Sequence, residues 1–105
     1  MVIVETSVFT RQVQELLSEK EYRELQSALI GRPGLGKLVP GTGGLRKVRW
    51  QVSGRGKRGG AQVIYYWAVS LERILMLFAY PKAERSDLTV AQLRALRKVV
   101  EEQYP

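Results

Sequence analysis

Hydrophobic and polar positions change period several times along the chain, and each change marks an element. "VIVETSVF" alternates, which predicts a first strand with Val2 and Val4 on one face. "TRQVQELL" then reads as a short helix bearing Val13, Leu16 and Leu17. A second helix opens at "SEKE", where Ser18 can cap free backbone N–H groups while Glu21 reaches back to complete a capping box. Tyr22, Leu25, Ala28 and Leu29 share one side of it at helical spacing, and Gly31 followed by Pro33 stops it. The two helices are expected to form a hairpin over one face of a sheet. Next comes "GRPGLGKLVPGTGG", a turn-rich connection with six glycines and two prolines. It reads either as a flexible link or as an ordered loop whose glycines let backbone N–H groups approach phosphate, although no Walker pattern is present.

Three strands are expected at 45–53, 61–69 and 73–80, joined by "GRGKRGG" and the tight turn "SLE". Short links between consecutive strands imply an antiparallel meander. "RILMLFAY" is apolar almost throughout, so it should run through the middle of the sheet. A last helix spans about Leu88 to Glu102. Thr89 and Gln92 form its capping box, and Leu88 and Leu93 are spaced for a hydrophobic staple. Leu93, Leu96 and Val99 or Val100 should face the sheet, with Arg94, Arg97 and Lys98 in solvent. The predicted order is β-α-α-β-β-β-α: an α+β fold in one domain over residues 1–105, with two helices on one face and a terminal helix.

Side chains alternate across a strand, and this sorts the candidate chemistry. In "LRKVRWQV", Val48, Trp50 and Val52 point one way, taken as the core, while Lys47 and Arg49 point the other way. Arg46 falls on the Val48 side but lies near the strand start, where it can reach round the edge. In "AQVIYYWAV", Gln62, Ile64 and Tyr66 share one face, and Val63, Tyr65 and Trp67 the other. The meander can bring Gln62 and Tyr66 beside the cations, and the third strand delivers Tyr80 and Lys82 at its mouth. An exposed sheet face with cations and aromatics suits RNA, whose unstacked bases need flat partners and whose phosphates need positive charge. Trp50, Trp67 and Tyr65 are expected in the core. Arg55, Lys57 and Arg58 sit on a glycine-rich tip and read as solvated phosphate-positioning arms. Glu84 and Arg85 read as a surface pair of small value.

Charge strengthens that reading. The net charge is +7, and between Glu24 and Glu72 there are eight bases and no acid. Such a block draws in polyanions: nucleic acid first, an acidic protein second. The chain has no cysteine and no histidine, which removes disulfides, thiolate nucleophiles and the usual acid–base residue near neutral pH, and most transition-metal sites with them. No apolar run approaches the ~18 residues of a membrane span. "MVIVETSVFTRQ" lacks a basic leader and a cleavage site, so a cytoplasmic protein beginning at its mature N-terminus is expected.

Three segments, "GTGGLRKVRW", "GRGKRGGAQVIYYW" and "YPKAERSDLT", resemble in this order the HigB branch of the RelE-type toxins of bacterial type II toxin–antitoxin modules. The resemblance covers nearly the whole chain, including "FTRQVQELLSEKEYRELQ" and the closing helix. It implies a RelE-like fold and a toxin that enters the ribosomal A site and cleaves mRNA there, with neither metal nor cofactor. In such toxins a ribose 2′-OH attacks its own 3′-phosphate, leaving a 2′,3′-cyclic phosphate and a 5′-OH. By the resemblance, Lys47 and Arg49 match the family's paired strand cations, Lys82 matches the basic position after the last strand, and Tyr80 stands just before it. Lysine and tyrosine both titrate near ~10 when unperturbed, and crowded cations lower either value. Lys82 is favoured as base or proton shuttle, Tyr80 as its orienter or a stacking partner, and Arg46, Lys47 and Arg49 as phosphate ligands. Gln62 stands where many relatives carry arginine, so either Arg58 or Arg55 substitutes or the site is slower. The resemblance further implies a cognate antitoxin, typically a helix-turn-helix DNA-binding protein. Two alternative functions stand beside mRNA cleavage: a ParE-like poison of DNA gyrase, since the same fold also serves such toxins, and a non-catalytic RNA-binding module.

Overall fold

The computed structural model describes residues 1–51, 60–85 and 87–105. Elements follow as β1 (Val2–Glu5), α1 (Ser7–Leu16), α2 (Glu19–Gly31), β2 (Lys37–Leu38), β3 (Leu45–Trp50), β4 (Ala61–Ala68), a short 3-10 turn at Val69–Leu71, β5 (Arg73–Pro81) and α3 (Val90–Gln103). The α+β class and the element order expected from sequence are present, with β2 added. The strands form one five-stranded sheet in the order β1-β5-β4-β3-β2. β1 runs parallel to β5, and the other pairings are antiparallel. The meander is therefore the centre of a larger mixed sheet. β4 rather than β5 lies at its middle, with β5 also interior.

Both faces of the sheet are apolar where they are covered. On one face Val48, Val63, Tyr65, Ile74 and Met76 pack against Phe9, Val13, Leu16, Leu25 and Leu29 of α1 and α2. On the other, Leu45, Ile64, Leu75 and Leu77 pack with Leu88 and Val100, flanked by Leu93, Leu96 and Val99 of α3. A register shift between Ile64 and Tyr65 lets Leu77 and Phe78 both serve the α3 side. Because β4 and β5 are covered twice, their long apolar runs have nowhere to place charge. The cations of the sheet collect on β3 and at strand ends.

Both expected capping boxes form. The Ser18 hydroxyl accepts from Glu21 N–H at 3.1 Å and Glu21 accepts from Ser18 N–H at 2.7 Å. The Thr89 and Gln92 pair repeats this at the start of α3, with distances of 3.1 and 2.8 Å. A third cap shortens the first strand. The Thr6 hydroxyl accepts from Phe9 N–H at 3.1 Å, so Ser7–Phe9 begin a helix instead of continuing the alternation, and Phe9 becomes fully buried.

The glycine-rich connection is ordered against the sheet. The buried Tyr65 hydroxyl accepts from Gly36 N–H at 2.8 Å and donates to Pro33 C=O at 2.7 Å. A Cβ at Gly36 would lie 2.7 Å from the Tyr65 ring, so only glycine fits there. This stitching delivers β2 to the edge of β3, with Lys37 opposite Lys47.

Two stability outcomes follow. Tyr65→Phe leaves a buried N–H and a carbonyl without their partner, so unfolding by denaturant should show a loss of about 1–3 kcal/mol. Thr89→Ala removes one exposed cap and should cost about 1 kcal/mol by the same measurement.

Candidate functional site

Residues distant in sequence line a groove of about 460 Å3 along the edge of β3: Leu35, Lys37, Lys47, Val48, Arg49, Trp50, Gln62 and Lys82. Its position follows from pairing. β2 pairs only with Arg46 and Lys47, so among the described residues Val48–Trp50 have no strand on that side. Arg49 lies opposite Gln62, and Gln62 opposite Tyr80, which sets three expected site residues in one row across β3, β4 and β5. Lys47 lies in the next row on the same face, opposite Ile64. Lys82 follows β5 in a turn whose start is fixed by a bond from Lys82 N–H to Gly60 C=O at 2.9 Å. The segment leading into α3 meets Lys47 through Asp87, and the end of α3 carries Tyr104 onto Tyr66 at the far end of β4, so the helix runs away from the Arg49–Gln62–Tyr80 row.

Lys47 is held by an acid that the sequence did not single out. Its ammonium meets the Asp87 carboxylate at 2.5 Å. Hydrogen bonding to Lys47 and its charge, with a smaller contribution from Lys82, hold Asp87 below its ordinary carboxylate value. Asp87 is thus ionised, solvent-exposed and within the field of both lysines. Nothing in the local pattern marks it. It is placed by the return of the chain between β5 and α3, 40 residues from its partner. Lys37 is the other omission. It sits in the acid-free basic block, but its placement depends on β2, two residues long and without a visible alternation.

The remaining expected residues divide. Gln62 lines the groove and is only 3 % exposed. Tyr80 is 5 % exposed and packs with Phe78 at 6.2 Å, so it backs the row rather than presenting a ring to solvent. Burial raises the Tyr80 phenol above its ordinary value. The Asp87 carboxylate adds to this and Arg85 opposes it. The phenol is therefore neutral near neutral pH.

Arg46 lies on the opposite face. Its guanidinium donates to Gly36 C=O at 2.8 Å and Gly34 C=O at 3.4 Å, with Trp67 6.0 Å away. It braces the glycine-rich connection instead of reaching round to Lys47. Tyr66 shares the Gln62 face, as alternation requires, but lies under α3. It stacks on Tyr104 at 6.4 Å, with Arg97 over its ring at 5.6 Å. Arg97, expected in solvent, also donates to Gly43 C=O at 3.1 Å. Arg85 donates to Gln92 at 3.1 Å, a different partner from the expected Glu84. Arg55, Lys57, Arg58 and Val52 lie outside the described residues. Tyr65 is fully buried, and Trp50 and Trp67 are partly buried against the α1–α2 side.

Chemically, the groove offers three lysines and an arginine to an anion, and a neutral amide at its floor. Among the described residues no group of three acidic side chains could hold a metal ion, and no helix is long and apolar enough to cross a membrane.

No family model matches the chain. Among solved structures it is similar to the E. coli toxin RelE, seen as a double arginine-to-alanine variant in the free state. The match has a TM-score of 0.59 at 10 % identity and covers 81 % of this chain and 86 % of that one. At this identity the likeness is one of architecture, and it agrees with the sheet and helix order above: the chain has a RelE-like fold.

Proposed function

We propose that the protein is the toxin of a type II toxin–antitoxin module, of the HigB type, and that it cleaves mRNA in the ribosomal A site. The observation that carries this reading is the gathering of Lys47, Arg49, Gln62 and Lys82 around one groove, on a fold like that of a known toxin.

In the proposed reaction the ribose 2′-oxygen attacks the adjacent phosphorus while the bond to the 5′-oxygen breaks. The products are a 2′,3′-cyclic phosphate and a 5′-OH. Negative charge accumulates on the non-bridging oxygens in the transition state, where fixed cations act most strongly. Lys47 and Arg49, one row apart on the same face of β3, take that role. Lys82 receives the 2′-OH proton and can pass one to the leaving oxygen. Tyr80, only 5 % exposed and with its phenol pushed up by burial, is given a supporting role rather than that of base. It supports the floor of the groove behind Gln62. Asp87 orients Lys47 before the substrate phosphate arrives. The cognate antitoxin, proposed to be a helix-turn-helix protein, would silence the toxin by covering this basic surface, and the positive field would speed their association.

Single substitutions on purified ribosomes with a defined message test the assignment. Lys47→Ala, Arg49→Ala and Lys82→Ala should each lower the single-turnover cleavage rate by about a hundredfold or more. Full activity in all three would remove the proposed site. Mapping 5′ ends after induction separates the alternatives: new ends inside codons support the nuclease, DNA damage without them points to gyrase, and binding without cleavage points to an RNA-binding module.

Tyr80→Phe should cost no more than about tenfold in the same assay, because a neutral buried phenol contributes packing and one hydroxyl. A loss as large as that of Lys82→Ala would return Tyr80 to the chemistry.

A further inference from the structure

The groove crosses the edge of β3 that, among the described residues, no strand covers beyond Lys47, and so draws side chains from both faces of the sheet. Lys47, Arg49 and Gln62 come from the α3 face. Val48, Trp50 and Leu35 come from the α1–α2 side, where Trp50 and Leu35 pack at the margin of the core. Lys37, the first residue of β2, stands directly opposite Lys47. One wall is therefore cationic and the other apolar and partly aromatic. Sequence alternation alone assigns Trp50 to the interior. The edge position leaves it only half-buried and in the wall of the groove.

We propose that this apolar wall is a nucleobase subsite: Trp50, with Leu35 and Val48, takes the face of a base next to the phosphate held by Lys47 and Arg49, and Lys37 takes the following phosphate. The proposal rests on the reading of the groove as an RNA site and adds to it where a base lies. A ligand suited to both walls must carry closely spaced anions and a flat, weakly polar face. Single-stranded nucleic acid supplies both at every residue, whereas a chain of phosphates or carboxylates supplies only the first. Four cations of one sign around the groove favour a polyanion over a neutral aromatic ligand. Among the described residues, the short reach of β2 leaves the wall accessible. A longer β2 would pair with Val48–Trp50 and close that edge.

The chain has two tryptophans, so Trp67→Phe leaves Trp50 as the only indole reporter. Trp50 also packs against the core, so its ring is kept and the ligand is varied. The full-length variant is titrated with a 2′-O-methyl RNA tetranucleotide, which lacks the attacking hydroxyl, with an abasic strand of the same backbone, and with an acidic peptide of equal charge. The RNA should change Trp50 emission saturably and bind about tenfold or more tightly than the abasic strand. Lys37→Ala should weaken both strands by a similar factor and reduce the salt dependence of each. Equal affinity for RNA and abasic strand, no emission change, or tighter binding of the peptide would overturn the subsite. Ribosomal message left intact despite a normal Trp50 response would defeat the nuclease alone. Cleavage accompanied by equal affinity for the RNA and the abasic strand would defeat the subsite alone.

Discussion

The period-two alternation of β3, set at the edge of a sheet whose inner strands are covered on both sides, governs the rest of the molecule. β4 and β5 present apolar groups to α1 and α2 on one face and to α3 on the other. An unpaired cation placed within them would face a large desolvation cost. Charge can survive only on β3, next to the edge, and where strands end. Alternation then parts neighbouring cations: Arg46 goes to the α1–α2 side, Lys47 and Arg49 to the other. Lys82, just past the end of β5, meets the second group because the sheet register brings the end of β5 beside the start of β4. The groove is the place where a doubly covered sheet tolerates positive charge.

Arg46 illustrates how the same residue type serves a different end on the other face. Half-buried against the glycine-rich connection, its guanidinium is satisfied by two loop carbonyls and lies near the Trp67 ring. Tyr65 completes the brace from below, and its phenol is pushed up by burial, with the Gly36 N–H and Arg46 opposing. The connection is thereby a fixed part of the sheet's margin. Of its glycines, Gly36 is required by a close approach to the tyrosine, not by a phosphate. The consequence for the groove is Lys37, a cation brought opposite Lys47 by the loop that Arg46 and Tyr65 hold.

What was legible in the sequence was whatever acts over short separations. The two capping boxes, the leucine and valine face of α3 and the inward course of Tyr65 all follow from local spacing. The row of Arg49, Gln62 and Tyr80 was partly legible, since alternation fixes faces once the meander is granted. Apart from the Thr6 cap, the misses share a cause: each depends on a partner far along the chain. The parallel docking of β1 on β5 and the pairing of β2 with β3 are set by tertiary register. The Thr6 cap was local and visible in principle, but alternation in "VIVETSVF" obscured it. Local spacing places Tyr66 and Arg97 on open surfaces, because nothing local announces that the end of α3 folds over the end of β4.

Asp87 bears on the absence of acids between Glu24 and Glu72. The basic block is unneutralised in sequence but not in space, since the chain returns a carboxylate to Lys47 from outside the block. That carboxylate is exposed, and surface ion pairs contribute little to stability. A phosphate carries an equal or larger charge on similar oxygens, so it can share or take the place at Lys47 with little loss to the fold. Meanwhile the carboxylate restricts where the long lysine side chain points. An acid buried in the groove would have cancelled the field that attracts a polyanion. Placed at the rim, it keeps one cation in position and leaves Lys37, Arg49 and Lys82 lining the rest of the groove, which is the arrangement a site for successive phosphates requires.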